Sequence, residues 1–378
     1  SYNMLNPAWT STLSSAYKDW TCNYLNELNL RDNKQQTNNI SGNINLSIPL
    51  YKGIESSTLF AIEKAFTKVN DYLDPNTYYV RNMLNYYTYP TATTNSLGIV
   101  NGGVLNRTNT DENNYTFRQQ FNYNAVLNSI HKINALAGIE LRETNIGASS
   151  LSLFGYNKET GYTDSNINFS YNPTYSYVAG YSPTSYTTFM YGGYPSQSDK
   201  RRRFISYYSN MAYTLLNRYS LSGSVRYDDY NNFGVDRKYR ATPLYSFGAK
   251  WNLSREKFME SLKWINNLAV RLTYGINGNL SLSSSPYTTI YLTTNYTTYQ
   301  PSAGISSTAN PELRWEKNYT TNLGLDFSLF NNRLSGCFDF YEKRSRDLLY
   351  SLPIGAALVG TVNNGTIFRN ALAINGHG

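Results

Sequence analysis

The chain is short of the residues that do chemistry. It has two cysteines, Cys22 and Cys337, and two histidines in 378 residues. Zinc sites want three or four such ligands at close spacing, so no metal centre is expected. A Cys22–Cys337 disulfide is not expected either, because Cys337 falls mid-strand on a polar face where a small residue fits. Charged residues reach only 15%, against about 25% in an ordinary soluble domain. No run of about 18 apolar residues exists, which excludes a transmembrane helix. Enzyme signatures are also missing. Asp228 and Asp229 are neighbours, and neighbours on a strand point to opposite faces. They cannot share a substrate and read as a solvated strand end. Tyr274-Gly275-Ile276-Asn277-Gly278 is not followed by the Lys-Ser/Thr pair and helix of a phosphate loop; its glycines are expected to bend the chain. Neither catalysis nor a cofactor is implied.

The net charge is +8, from 33 basic and 25 acidic residues. The basic charge is scattered apart from the run Lys200–Arg203. Nucleic-acid binding would want it gathered on one face, so no nucleic-acid partner is expected. The run reads as a solvated loop end, and the scattered charge as a rim that meets anionic lipid headgroups or solvent. What the chain does have is aromatic residues, with 37 tyrosines and 16 phenylalanines at a mean hydropathy of −0.50. That is too aromatic for a disordered segment. Tyrosine suits the interface between membrane and water, and it suits ligand-binding loops.

The alternation of apolar and polar residues carries the fold. Leu323, Leu325, Phe327 and Leu329 alternate with Asn322, Gly324, Asp326 and Ser328. Phe330–Arg333 interrupts. Leu334, Gly336, Phe338 and Phe340 then alternate with Ser335, Cys337, Asp339 and Tyr341. Period two, a turn and period two again predict a β-hairpin. The pattern recurs. Ile40, Ile44, Leu46 and Ile48 form one apolar face, and Tyr115, Phe117, Phe121 and Tyr123 another. Ile133–Leu141, Phe204–Thr214, Leu221–Tyr227, Tyr245–Trp251 and Leu268–Tyr274 follow suit. Residues 1–36 predict a loop with at most one poor strand, and 254–266 a connection with a short helix.

The fold class predicted is all-β, an antiparallel transmembrane β-barrel segment of about ten strands, each roughly 9–13 residues long. Short turns alternate with three long loops, about 68–112, 144–200 and 276–316, all on one side. Loops beyond about 15 residues are uncommon in compact soluble domains. An outer-membrane barrel places turns in the periplasm and loops outside the cell. Such a protein needs a signal peptide, yet Ser1-Tyr2-Asn3 opens with neither a basic start nor an apolar core. The C-terminus also stops abruptly. Both ends are expected to be cuts in a longer chain, with residues 1–378 a partial barrel domain.

The second half resembles the SusC/RagA family of TonB-dependent outer-membrane transporters from Bacteroidetes. The stretches that carry this are YSLSGSVRYDDYNNFGVDRKYR (219–240), TPLYSFGAKWNLSREKFM (242–259), NLAVRLTYGINGN (267–279) and NPELRWEKNYTTNLGLDFSLFNNRLSGCFDFYEKRSRDLL (310–349). INALAGIELRE matches more loosely. The resemblance implies a barrel of about 22 strands around a plugged lumen, with the plug and terminal strands absent here. It implies import of oligosaccharides or peptides, a SusD-like surface lipoprotein as lid, and energy from TonB through the missing plug. The remaining partners would be a glycan or peptide ligand and outer-membrane lipid.

Ligand contact is expected in the tyrosine-rich loops. Tyr287, Tyr291, Tyr296 and Tyr299 lie in the third loop, and Tyr181, Tyr186, Tyr191 and Tyr194 in the second. Phenol rings offer flat stacking surface at low entropic cost. Two other readings stay open. A passive diffusion porin would put rings of charge in its lumen, whereas the inward residues here are mostly Ser, Asn, Thr and Gly. A soluble glycan-binding or adhesive β-sandwich would bury the apolar face against a second sheet.

Overall fold

The computed structural model describes residues 2–3, 17–86, 102–163, 195–231, 241–279, 286–295, 298, 300–307, 309–353 and 366–378. The elements in chain order begin with β1 (Tyr2–Asn3), β2 (Thr21–Cys22), α1 (Tyr24–Leu30), β3 (Arg31–Tyr51), β4 (Ile54–Leu73) and α2 (Tyr78–Tyr86). Next come β5 (Gly103–Leu127), β6 (His131–Tyr156), β7 (Ser196–Leu215), β8 (Tyr219–Tyr230), β9 (Ala241–Asn252) and β10 (Ile265–Asn279). The last are β11 (Thr289–Thr294), β12 (Pro301–Ser307), β13 (Glu316–Leu329), β14 (Leu334–Pro353) and β15 (Thr366–His377). Two short 3-10 helices, Leu253–Arg255 and Lys257–Met259, join β9 to β10.

Eleven strands form one sheet in the order β15-β14-β13-β10-β9-β8-β7-β6-β5-β4-β3. Among the described residues β11 and β12 pair with each other alone, as an antiparallel hairpin inside the third predicted loop. Adjacent strands of the sheet follow one another in sequence, apart from that insertion between β10 and β13. The tight turns explain the order. Asn128 and Ser129, Leu216 and Asn217, and Phe330, Asn331 and Asn332 all take positive φ, the left-handed backbone that reverses a strand in few residues. Each turn is tied to the next hairpin. The Asn124 N–H donates to Gly53 O, that of Leu216 to Ile130 O, that of Asn252 to Arg218 O and that of Phe330 to Trp264 O. Gly53 has φ +77°, and a Cβ there would lie 2.4 Å from Asn124 O, so only glycine fits.

The predicted facing holds across the β10–β13 and β13–β14 ladders. Leu268 pairs with Phe327, Val270 with Leu325, and Leu272 with Leu323. Leu325 pairs in turn with Phe338, and Leu323 with Phe340. Among the described residues these side chains form one apolar surface that no other element covers: Leu272 is 49% exposed, Leu323 50%, Phe338 69% and Phe340 64%. An uncovered apolar surface of this extent is a surface for lipid or a partner. Aromatic residues flank it. Near the tight turns, Tyr219 stacks on Trp251 with ring centroids 6.3 Å apart, and Trp264 on Phe330 at 5.8 Å. Towards the other end lie Tyr227 and the Tyr245–Tyr274 pair. Tyr219 to Tyr227 is eight residue steps, about 27 Å along a strand. Tilted, that suits an apolar band about 25 Å tall.

The strands are longer than their apolar patterns. β5 has 25 residues and β6 has 26. Arg107–Asn114 reads as loop because both its faces are polar, yet it lies within β5. The predicted loops shrink accordingly. The first contains α2, and the second begins after Tyr156. The poor N-terminal segment contains α1 and the start of β3. β15 is an eleventh strand that the sequence pattern did not mark. The Lys200–Arg203 run is part of β7 rather than a loop end. Gly275 and Gly278 lie inside β10 and do not end it. A Cβ at Gly278 would press on Trp315 and Leu244, each 3.0 Å away.

The chain divides into two compact parts. The first comprises Ser1–Ser41, Glu63–Asn113 and Thr144–Arg201. Its core is Val80, Met83 and Leu84 of α2 against Val104, Phe154 and Leu73. Their spacing puts the three helix residues on one face. The second part comprises Gly42–Ile62, Asn114–Glu143 and Arg202–Gly378. In it Tyr230, Leu313 and Trp315 form a buried cluster with Phe204 and Leu349 against it.

Candidate functional site

The face of the sheet opposite the apolar surface is polar. Its charges occur in neutral clusters. Arg118 of β5 donates to Glu140 Oε2 of β6 through Nε at 2.9 Å. Arg226 of β8 approaches Glu140 Oε1 at 3.7 Å and binds Asp228 through Nε at 2.8 Å. It also donates to Ser206 Oγ at 3.0 Å. Glu140 and Asp228 are nearly buried, with side chains 8% and 10% exposed, while Arg118 and Arg226 are 43% and 42% exposed. Burial of each carboxylate is offset by a guanidinium held in place. Asp228 is therefore a buried ion-pair partner rather than a solvated strand end, and Asp229 pairs with Ile205 on the opposite face.

Tyr208 adds a neutral bridge. Its hydroxyl donates to Gln120 Oε1 at 2.9 Å, crossing from β7 to β5. The path passes over Gly138 of β6, where a Cβ would lie 2.6 Å from the Tyr208 hydroxyl. A second cluster lies on β9, β10, β13 and β14. Arg271 binds both oxygens of Asp326 at 2.9 Å and reaches Asp339 at 3.3 Å, and Lys250 lies 3.7 Å from Asp326. Two cations and two anions again balance. The inward face therefore carries more charge than its Ser, Asn, Thr and Gly content suggested, and in these two clusters the charge is paired.

The NPELRWE segment has a physical role at the far end of β13. Asn310 Oδ1 accepts the Glu312 N–H, and Leu313 and Trp315 enter the buried cluster. Arg314 binds Asp347 at 2.7 Å, while Asn370 bonds the Arg314 backbone through both its amide groups. Glu316 accepts from the Leu349 N–H and from Asn279 Nδ2. The segment thus pins β10, β14 and β15 together.

Of the predicted ligand-contact tyrosines, Tyr287 and Tyr291 are described, and both are exposed, at 57% and 55%. Tyr291 pairs with Gly304 across the β11–β12 hairpin, and its ring lies where a Gly304 Cβ would be, 2.3 Å away. Part of its role is therefore packing. Tyr181, Tyr186, Tyr191, Tyr194, Tyr296 and Tyr299 lie outside the described residues. Both cysteines are free thiols. The described residues contain no cluster of three or more His, Cys, Asp or Glu that could hold a metal.

Comparison with known proteins agrees with this architecture. Residues 5–376 match the family model described as TonB dependent receptor-like, beta-barrel. A TonB-dependent receptor of Formosa agariphila is 28% identical over 330 residues, covering 87% of this chain and 28% of the relative. The TonB-dependent receptor SusC of Bacteroides thetaiotaomicron is 31% identical over 185 residues, covering 47% of this chain and 18% of the relative. The chain thus spans less than a third of these relatives. Among solved structures, the RagAB peptide importer in its closed-closed state superposes with a TM-score of 0.70 at 21% identity, covering 92% of this chain and 34% of that one. That likeness is one of fold.

Proposed function

The chain belongs to the TonB-dependent receptor-like β-barrel family, and from that premise we propose that it forms barrel wall in an energy-coupled importer of oligosaccharides or peptides. Its place is the outer membrane. One observation carries the reading: an uncovered apolar face stands opposite a polar face whose charges are mutually paired. Lipid suits the first, and an aqueous or protein-filled interior the second. Paired, neutral clusters suit a passage for large hydrophilic solutes better than one that selects ions by charge.

The wall is part of a longer transporter in this reading. A SusD-like surface lipoprotein would lid it, and TonB would drive release of the captured ligand through a plug. The resemblance of residues 219–349 to the SusC/RagA family supports both partners, as does the similarity to SusC. The test is uptake by cells that carry the intact transporter. Labelled oligosaccharides and peptides should enter at limiting concentration only while the inner membrane is energised. Entry that persists at the same rate after an uncoupler is added would favour the diffusion porin.

A further inference from the structure

A recess of mixed apolar and polar lining lies where β3 begins and β4 ends, and the geometry points to a capture subsite for uncharged oligosaccharide there. The recess has a volume of about 840 Å³ and is lined by α1, α2 and the ends of β3, β4 and β5. That volume lies within the range of small-ligand sites, about 300–1,000 Å³. All of it belongs to one compact part of the chain.

The recess residues of β3, β4 and β5 have the polar parity of their strands. On β3 the even-numbered Ile40, Ile44, Leu46 and Ile48 mark the apolar face. The odd-numbered Arg31 reaches across to Asp71 of β4, as Asn45 does to Ser57. Asn33 shares that parity. On β5, Asn106 accepts a hydrogen bond from Ser152 of β6, on the same parity as the Arg118–Glu140 pair. Solute passing through the importer would meet this side.

Its chemistry favours hydroxyl groups. Arg31 and Asp71 neutralise each other through two hydrogen bonds of 2.8 Å. Glu27 accepts the Tyr78 N–H at 2.9 Å and lies 4.0 Å from Arg81. Among the described lining residues each charge has a partner of opposite sign, which leaves none to capture a peptide terminus. Asn33 and Asn106 line the cavity beside the half-exposed ring of Tyr79. An amide both donates and accepts, as a sugar hydroxyl does. A phenol ring offers an apolar plane with a polar edge, which suits the face of a sugar ring.

A second recess of about 390 Å³ adjoins Glu27 from the other side and is lined by Asn26, Asn29, Asn76 and Arg81, among others. Among the described residues the side-chain amides of Asn26, Asn29 and Asn33 have no partner. Two recesses that share Glu27, each with amide and apolar lining, suit a chain of sugar units better than a single one.

This inference rests on the importer reading above and names one substrate class within it. The test uses the intact transporter in outer-membrane preparations, with neutral glucan, fructan and xylan oligosaccharides as one probe set and a random hexapeptide pool as the other. Asn33→Ala and Tyr79→Ser should each weaken oligosaccharide binding about tenfold, with the amount of heat-modifiable barrel unchanged. Asn26→Ala reports on the second recess and does not touch the α2 core. Its expected effect is a loss that grows with oligosaccharide length. Unchanged oligosaccharide binding in all three variants would overturn the subsite while leaving the importer reading intact. Binding of hexapeptides only, by the unaltered protein, would overturn the ligand class. Failure of the unaltered protein to take up either probe set would overturn the importer reading, and the subsite with it.

Discussion

Tyr219 lies directly opposite Trp251 on the β8–β9 ladder, and both donate to the same oxygen, Glu256 Oε1, at 2.6 and 3.0 Å. Arg218 Nη1 reaches the other oxygen at 3.3 Å. Glu256 sits between the two 3-10 turns that join β9 to β10, outside the strands. One carboxylate therefore holds two aromatic side chains and two turns at the edge of the apolar band.

The first prediction follows from the charge on that carboxylate. The Tyr219 hydrogen bond first, then those of Trp251 and the nearby Arg218, hold the Glu256 carboxyl below the usual carboxylate range, against its partial burial. A depressed pKa in the folded state gives stability above the unfolded-state value, and this is lost as pH falls through the folded value. Glu256→Gln should therefore unfold at lower temperature than the unaltered protein at neutral pH. The gap should close as the pH is lowered through the acid range. Heat-modifiability on gels across a pH series reads this directly. Two parallel curves would mean that the charge contributes nothing.

Facing gives the second prediction. Leu325→Arg should cost about 2–4 kcal/mol in folding stability if the residue lies near the bilayer midplane. Ser335, which pairs with Ser328 on the other face, should accept arginine at much lower cost. Asp326 is the poorer control although it faces inward. Asp326→Arg would bring a third cation beside Arg271 and Lys250 and leave Asp339 to balance all three. Chemical unfolding in detergent or lipid would rank the three. Equal tolerance at Leu325 and Ser335 would reverse the facing.

The contrast between Leu325 and Asp326 also shows how much of the fold was legible. Facing on β10, β13 and β14 follows from alternation, because lipid on one side and water on the other write period two into the sequence. Beyond the membrane both sides meet water, so Arg107–Asn114 carries no alternation although β5 runs through it. β15 was hidden for another reason. Asp347 has φ 59°, and the β14–β15 register shifts between Ser345 and Leu349, so no single alternation spans the pair. The helix stripe Val80, Met83 and Leu84 was lost among tyrosines and asparagines. Arg118, Glu140 and Arg226 could be placed on the inward face by parity. Their meeting across four strands could not, because register between separate hairpins is not written in either one.

That meeting supports a third prediction. Glu140→Gln removes the anion shared by Arg118 and Arg226. The arginines are about half exposed, which puts the cost below the roughly 3–5 kcal/mol of a fully buried pair that loses one partner. Exchanging the partners, with Arg118→Glu and Glu140→Arg together, should recover part of the loss. A double variant no better than the sum of its single changes would show that the pair is not coupled.

Gly138 gives the fourth. A Cβ at this position would meet the Tyr208 hydroxyl at 2.6 Å and the Gln119 carbonyl oxygen at 2.7 Å. The second contact is with backbone and cannot rotate away. Gly138→Ala should therefore cost about 1–3 kcal/mol, and adding Tyr208→Ser should relieve only part of it. Full rescue by Tyr208→Ser would mean that the β5–β6 ladder yields more easily than the geometry indicates.

The last prediction separates two tyrosines that look alike in the sequence. Both belong to the segment expected to face outside the cell and hold ligand or lid. Tyr291 lies across Gly304, covering a glycine on the neighbouring strand and adding contact to a two-stranded hairpin. Isolated hairpins are marginal in water, so Tyr291→Ser should loosen β11–β12 and speed proteolytic cleavage between Thr289 and Ser307. Tyr287 precedes β11. Its exposed ring is the better placed of the two for stacking on ligand or lid. Tyr287→Ser in the intact transporter should weaken uptake at limiting ligand and leave both cleavage and the amount of assembled barrel unchanged. Unchanged uptake with Tyr287→Ser would sink the ligand role for this tyrosine, and loss of assembled barrel would make its role structural.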